Sequence, residues 1–240
     1  MKKLYITLLL AAGCQHVNIK NQEYKISHST TEIGSIGFSE SSYVINNNFH
    51  PHTLPLLENR IRLTAQLFNF DKSMYKVYKN KIKQSKPQFT ITYVDSVETK
   101  PDYVTLNILD SGALLQEYNA DFNKDIVNYI KNNNKAVAVT GVAIALPEGD
   151  IQKIRKSDAL YLINKQKNKY TVALFKDGKK TDEMDLSSGV ILAYTLSGFC
   201  WSLDEHNKWY IADIMNNSKS CKGNTFKNIK KKQEINLFKM

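Results

Sequence analysis

Residues 135–146 read KAVAVTGVAIAL. The run is apolar at odd and even positions alike, and turn formers bound it, Asn132-Asn133-Asn134 before and Pro147 after. A surface helix shows one apolar stripe and a half-buried strand one apolar face, so this pattern predicts a strand with protein on both sides. Thr140, Gly141 and a length far below the roughly 20 residues of a spanning helix exclude a membrane crossing. A central buried strand needs a sheet around it, and the rest of the chain is read for that sheet.

Towards the C-terminus, a short helix around Ile151 to Ile154 precedes a succession of strand-like runs: LYLIN (160–164), YTVALF (170–175), a strand ending at Leu186, VILAYTLSGFCWSL (190–203) and WYIADI (209–214). Asp177-Gly178 is the dipeptide of tight hairpin turns. Strands in succession with short turns imply antiparallel neighbours. Towards the N-terminus, Asn119 or Asp121 opens a helix with Phe122, Ile126, Tyr129 and Ile130 on its apolar face. PQFTITYVDSV (87–97) and DYVTLNIL (102–109) are β-rich and bracket a TKPD turn. From Pro55, the residues Leu57, Ile61, Phe68, Tyr75, Tyr78 and Ile82 recur at helical steps. They predict two helices broken near Phe68-Asn69-Phe70-Asp71, with Asp71 capping the second and Phe70 and Tyr75 as its staple pair. Residues 15–50 are rich in Ser, Thr, Asn and Gly and read as a tether. The expected fold is therefore α+β: a helical hairpin over 55–84 packed on a mainly antiparallel sheet over 87–216, with one further central helix. The expected bounds are a tether over 14–52, one domain over 53–221 and a tail over 222–240.

The chain opens MKKLYITLLLAAGCQ. Lys2 and Lys3 precede nine apolar residues, Leu4 to Ala12, too few to span a bilayer, and Ala11-Ala12-Gly13 supply the small side chains of a cleavage site. Cys14 is then a core thiol behind an ordinary signal or in a buried strand, half of a disulfide, or a lipid attachment point. The ending Leu10-Ala11-Ala12-Gly13-Cys14 resembles the lipobox of bacterial lipoproteins, with Leu10 one place further upstream than in the commonest pattern. The resemblance implies diacylation of the Cys14 thiol and removal of residues 1–13. With Gln15 after the cysteine, it implies the periplasmic face of the outer membrane, the inner membrane being the alternative. Using Cys14 for lipid leaves Cys200 and Cys221, which pair in one way. Closing that loop of about 20 residues stabilises the domain by roughly 3 kcal/mol in the chain-entropy model.

The formal charge is +10, but 30 of the 33 basic residues are Lys and only Arg60, Arg62 and Arg155 are Arg. Base-reading surfaces lean on Arg forks, so nucleic acid is not the expected partner. After removal of residues 1–13 the charge is +8, of which the segment after Cys221 holds +5, leaving +3 for the body. Basicity thus reads as a property of the tail, suited to an anionic headgroup surface or an acidic partner.

Trp201 and Trp209 flank a polar DEHNK turn inside the expected disulfide. With Asp204, Glu205 and Asp213 they form a candidate contact for a glycan or peptide, or else staple a hairpin. His50-Pro51-His52 offers two imidazoles to a metal without further ligands nearby in sequence, and Ser73-Met74-Tyr75-Lys76 has the serine-lysine spacing of acyl-transfer enzymes without that family's third motif. No motif implies a cofactor. The expected role is non-enzymatic: an envelope accessory protein with a protein partner, an immunity-type inhibitor of a periplasmic toxin, or a cell-wall glycan binder or hydrolase.

Overall fold

The computed structural model describes residues 16–20, 22–26, 31–39, 49–85, 87–166, 169–216 and 220–229. The first half of the chain supplies β1 (His16–Ile19), β2 (Gln22–Ile26), β3 (Ile36–Ser39), β4 (Phe49–Thr53), β5 (Ile61–Asn69) and the helix α1 (Lys72–Ser85). Then follow β6 (Asp102–Ile108), the helices α2 (Ser111–Asn119) and α3 (Lys124–Ile130), β7 (Ala136–Ala145) and α4 (Glu148–Lys156). The last third holds β8 (Ala159–Gln166), β9 (Lys169–Lys176), β10 (Lys179–Met184), β11 (Val190–Leu203) and β12 (Trp209–Asn216).

The run apolar on both faces is β7, and it lies at the centre. It pairs antiparallel with β11 from Val190 beside Ala145 to Gly198 beside Val137. Each strand of this pair then serves two neighbours along its other edge. The Val142–Ile144 end of β7 carries β6 and its Ala136–Ala138 end carries β3, while β11 carries β2 at Ala193–Tyr194 and β12 from Ser197 onward. The sheet therefore forks. One branch runs β1-β2-β11-β7-β6-β5-β8-β9-β10 and the other β12-β11-β7-β3-β4, all antiparallel. Two bulges, one at Leu192 of β11 and one at Thr140 of β7, add twist to the pair that enters both branches.

Both faces of the central pair are covered. On one face Val142, Ile144, Leu196 and Phe199 join Leu114 and Tyr118 of α2, Val127 and Ile130 of α3 and Ile151 and Ile154 of α4 in the larger core. On the other, Ala143, Ala145, Leu192 and Ala193 meet Met74 and Tyr78 of α1 and Ile19 and Tyr24 of the β1–β2 hairpin. Gly141 is required here, because a Cβ would stand 2.0 Å from Asn107 Oδ1 and 2.6 Å from Thr195 Oγ1. The gap admits the Asn107 amide, whose nitrogen donates to the Tyr24 hydroxyl at 3.0 Å and ties the N-terminal hairpin to β6.

The α+β expectation with an N-terminal helical hairpin is overturned. Among the described residues four short helices serve a mostly antiparallel β fold, and the regular elements before α1 are the strands β1 to β5. Residues 61–69, expected as helix, are β5, where Ile61, Leu63, Ala65 and Leu67 alternate with Arg62, Thr64 and Gln66, a period of two. The second expected helix is α1: Asp71 Oδ1 accepts from Met74 N at 2.7 Å, and the Phe70 and Tyr75 rings meet edge-on at 6.4 Å. Within the stretch expected as a tether, β1 to β4 join the sheet. Residues 87–101, half of an expected hairpin, hold no strand; the Tyr78 hydroxyl accepts from Ile91 N at 3.0 Å and anchors them instead. Residues 1–15, with Cys14, and 230–240 lie outside the described residues.

Candidate functional site

The tryptophan corner is built as a closed structure. Cys200 and Cys221 form a disulfide with Cα atoms 5.6 Å apart. The chain beyond Cys221 brings Phe226 back against β11, and Trp201 and Phe226 exchange two backbone hydrogen bonds of 2.8 Å. Trp201 lies opposite Ile211 and Trp209 opposite Leu203, so the indoles are diagonal neighbours. Trp201 is only 4% exposed, and Trp209 meets Phe226 edge-on at 6.2 Å. Asp204 closes the hairpin turn: its Oδ1 accepts from His206 N and Lys208 N, and these bonds, the Lys208 one first, hold its carboxyl below the usual range. Glu205 is exposed on that turn, and Asp213 Oδ1 accepts from Ile214 N at 2.8 Å. The corner offers no flat, open indole. A cleft of about 180 Å³ lies beside it, lined by Trp201, Met215, Asn133, Asn134, Lys135 and Lys227.

The other candidates are separate surface features. His52 stacks on Tyr129 at 4.6 Å, and His50 is exposed on the same strand. Among the described residues no group of three or more His, Cys, Asp or Glu side chains is placed to hold a metal ion. Ser73 and Lys76 are both exposed on α1. In the body of the sheet, Glu117 is buried, and its carboxylate accepts from Glu58 N at 2.6 Å and Asn59 Nδ2 at 2.7 Å, a structural duty that locks the segment before β5 onto α2.

The most distinctive surface is one that residue patterns do not reveal. Strands β5 and β8 pair only over Ile61–Leu63 and then diverge around the C-terminal end of α4. Leu109 N donates to Arg62 O and Phe70 N donates to Pro101 O, each 2.9 Å, so even-numbered residues of β5 turn their backbone towards β6. The odd-numbered residues turn theirs the other way. Ile61 and Leu63 meet β8, whereas the N–H and C=O groups of Ala65 and Leu67 face the gap and find no partner among the described residues. Beside them opens a cleft of about 290 Å³ whose apolar lining includes Leu63, Leu67, Leu109, Ile154 and Leu160.

Arg62 stands at this opening, and Arg60 precedes it just before β5. The Arg60 guanidinium lies over the rings of Tyr161 and Phe175, 4.4 and 4.9 Å from their centres, and Arg62 lines the cleft. Neither forms an ion pair among the described residues, whereas Arg155, the third, is bound by Asp102. Guanidinium groups lying over aromatic rings are weakly hydrated forks suited to carboxylates. The arrangement presents two backbone donors, two backbone acceptors and a cleft in which Leu63, Leu67 and Leu160 stand beside Arg62, Ser157 and Asp158, which suits strand addition. The scarcity of arginine was visible in the sequence; its gathering at a strand edge required β5 to be known as a strand.

No family model, no curated protein and no solved structure matches this chain.

Proposed function

We propose that this chain is a lipid-anchored, non-enzymatic binding protein of the bacterial envelope that holds an extended, acidic strand of a protein partner along the open edge of β5. The observation that carries the binding role is the pair Ala65 and Leu67, whose outward backbone groups face a cleft lined by Leu63, Leu160 and Arg62. An unpaired edge is otherwise a hazard that proteins blunt with lysine, proline or a cover. The β4 edge has its proline at Pro51, but β5 has none along 61–69. The anchoring role rests on Leu10 to Cys14, and the disulfide between Cys200 and Cys221 supports an oxidising compartment. The covered indole of Trp201 weighs against the glycan-binding alternative.

A proline at position 65 removes an outward donor but no β5–β6 hydrogen bond, so Ala65→Pro keeps the fold and blocks an incoming strand. A photocrosslinker at the exposed Gln66 should capture one envelope protein in the wild type and nothing in the Ala65→Pro background. A short peptide alternating Val and Glu should shift the Ala65 and Leu67 amide resonances, and its Val–Lys counterpart should not. Equal capture or equal shifts in the Ala65→Pro variant refute the binding site. The anchor is read separately: the mature protein's intact mass should begin at Cys14 and carry the added mass of acyl chains.

A further inference from the structure

The sequence places basicity in the tail, yet α1 alone, KSMYKVYKNKIKQS, carries five lysines and no acidic residue. Four of them, Lys72, Lys76, Lys79 and Lys83, are spaced four, three and four residues apart, so they fall on one line along the helix, and all four are exposed. Met74 and Tyr78 on the opposite side are in the core. The body's net +3 thus conceals a stripe of four aligned positive charges, balanced by acids elsewhere. Those acids serve other lysines: Lys153, Lys165, Lys169 and Lys180 have carboxylate partners. The nearest acids in sequence are committed, Asp71 to the cap at Met74 N and Asp95 to the Tyr93 hydroxyl. Among the described residues the stripe forms no ion pair. Like charges three and four residues apart weaken a helix, so a stripe kept this pure calls for an external counter-charge.

Three placements say which one. Tyr93 packs on Tyr75 at 5.1 Å, and Lys79 Nζ lies 5.7 Å from the centre of the Tyr75 ring, so the 87–101 segment borders the stripe. That segment, whose Tyr93 meets Tyr75, exposes Val94 and Val97, at 47% and 48%. Finally, α1 shares its apolar cluster with Ile19 and Tyr24, so these side chains of the β1–β2 hairpin point to the side of the sheet that α1 covers. Two residues extend at most about 7 Å, which puts Cys14 within that distance of His16 at the start of the hairpin.

We infer that the Lys72–Lys76–Lys79–Lys83 stripe, flanked by Val94 and Val97, seats the protein on the anionic headgroups of the bilayer that holds its acyl chains. The inference rests on the anchoring reading for its orientation. A lipidated residue so close to the first strand leaves no room for a body standing clear of the surface, and an acyl anchor paired with a polybasic patch is the combination that fixes a protein firmly. The two apolar valines supply what a purely solvated lysine face would lack.

The test is an amine-labelling footprint of the acylated protein on phosphatidylcholine vesicles with and without phosphatidylglycerol, read residue by residue by mass spectrometry. Anionic vesicles should slow labelling of the four lysines by about tenfold while Lys165 and Lys180 stay unchanged, and roughly 0.5 M salt should abolish the difference. Hydrogen exchange at 94–97 should slow on the same vesicles and revert when all four lysines are changed to glutamine, a residue of similar helix propensity. Equal labelling on both vesicles overturns the inference, as does protection by an envelope protein or by duplex DNA without protection by vesicles. If the mass of the mature protein shows no acyl chains, the anchoring reading fails alone, because the same footprint on protein mixed with vesicles still reads the stripe.

Discussion

Gly141 shows how much one missing side chain can organise. Its place in β7 is filled by the Asn107 amide, which reaches across to Tyr24, so three strands meet through a hole the size of a methyl group. Gly141→Ala would drive a methyl into Asn107 Oδ1 and Thr195 Oγ1, and overpacking of this kind costs about 1–3 kcal/mol. Urea unfolding should show that loss, and Gly141→Ala combined with Asn107→Ala should recover part of it. Glu183 is a second residue with a measurable signature. Bonds from Lys180, then Lys165 and Thr171, lower its carboxyl from the ordinary 4.5 to about 2. A carboxylate with a depressed folded value stabilises fully above its unfolded value and ceases to do so as pH falls through the folded one. The wild type should therefore lose stability more steeply than Glu183→Gln between about pH 4.5 and 2, as read from urea midpoints.

At the scale of elements, the readable parts of the sequence were those whose burial is unambiguous. β7 and β11 are apolar on both faces and β9–β10 has its Asp177-Gly178 turn, with φ of 50° and 74°. The capped helix α1 and the disulfide were legible for similarly local reasons. The errors share a cause, which is that a strand is completed by residues far away. β5 was obscured because Leu57, Ile61 and Phe68 mimic helical steps, and nothing nearby announces β6 and β8 as partners. PQFTITYVDSV has strand composition but no partner in space. The binding edge was lost with β5, since an unpaired edge exists only where a strand does. The Cys200–Cys221 loop makes its own prediction: Cys221→Ser should lower stability by roughly 3 kcal/mol and leave the body of the sheet intact, with the Trp209 and Phe226 corner loosening first in near-ultraviolet dichroism.

For the whole molecule, the forked sheet makes the β7–β11 pair common property of both branches. Neither branch can open fully without it, so amides of Val139–Ile144 and Leu192–Ser197 should exchange only through global unfolding, whereas those of the peripheral β1–β2 hairpin should exchange by local opening. Native-state hydrogen exchange at low denaturant checks this ranking, and uniform protection across the sheet would contradict it. The molecule also separates its surfaces. The lysine stripe lies on the α1 face, and the open β5 cleft is lined by residues of the opposite core, so the two proposed contacts do not compete for one surface.

The same fork imposes an order of assembly. Lys25 sits beside Tyr194, so the second strand of the chain is paired by one of the last. A ribosome or a translocation pore delivers a protein from its N-terminus, and the β1–β2 hairpin must then wait, its β2 edge bare, until most of the chain has emerged. Maturation is thereby gated by completeness: a truncated product lacking the last quarter has nowhere to dock its beginning, and quality-control proteases would meet it with that beginning still undone.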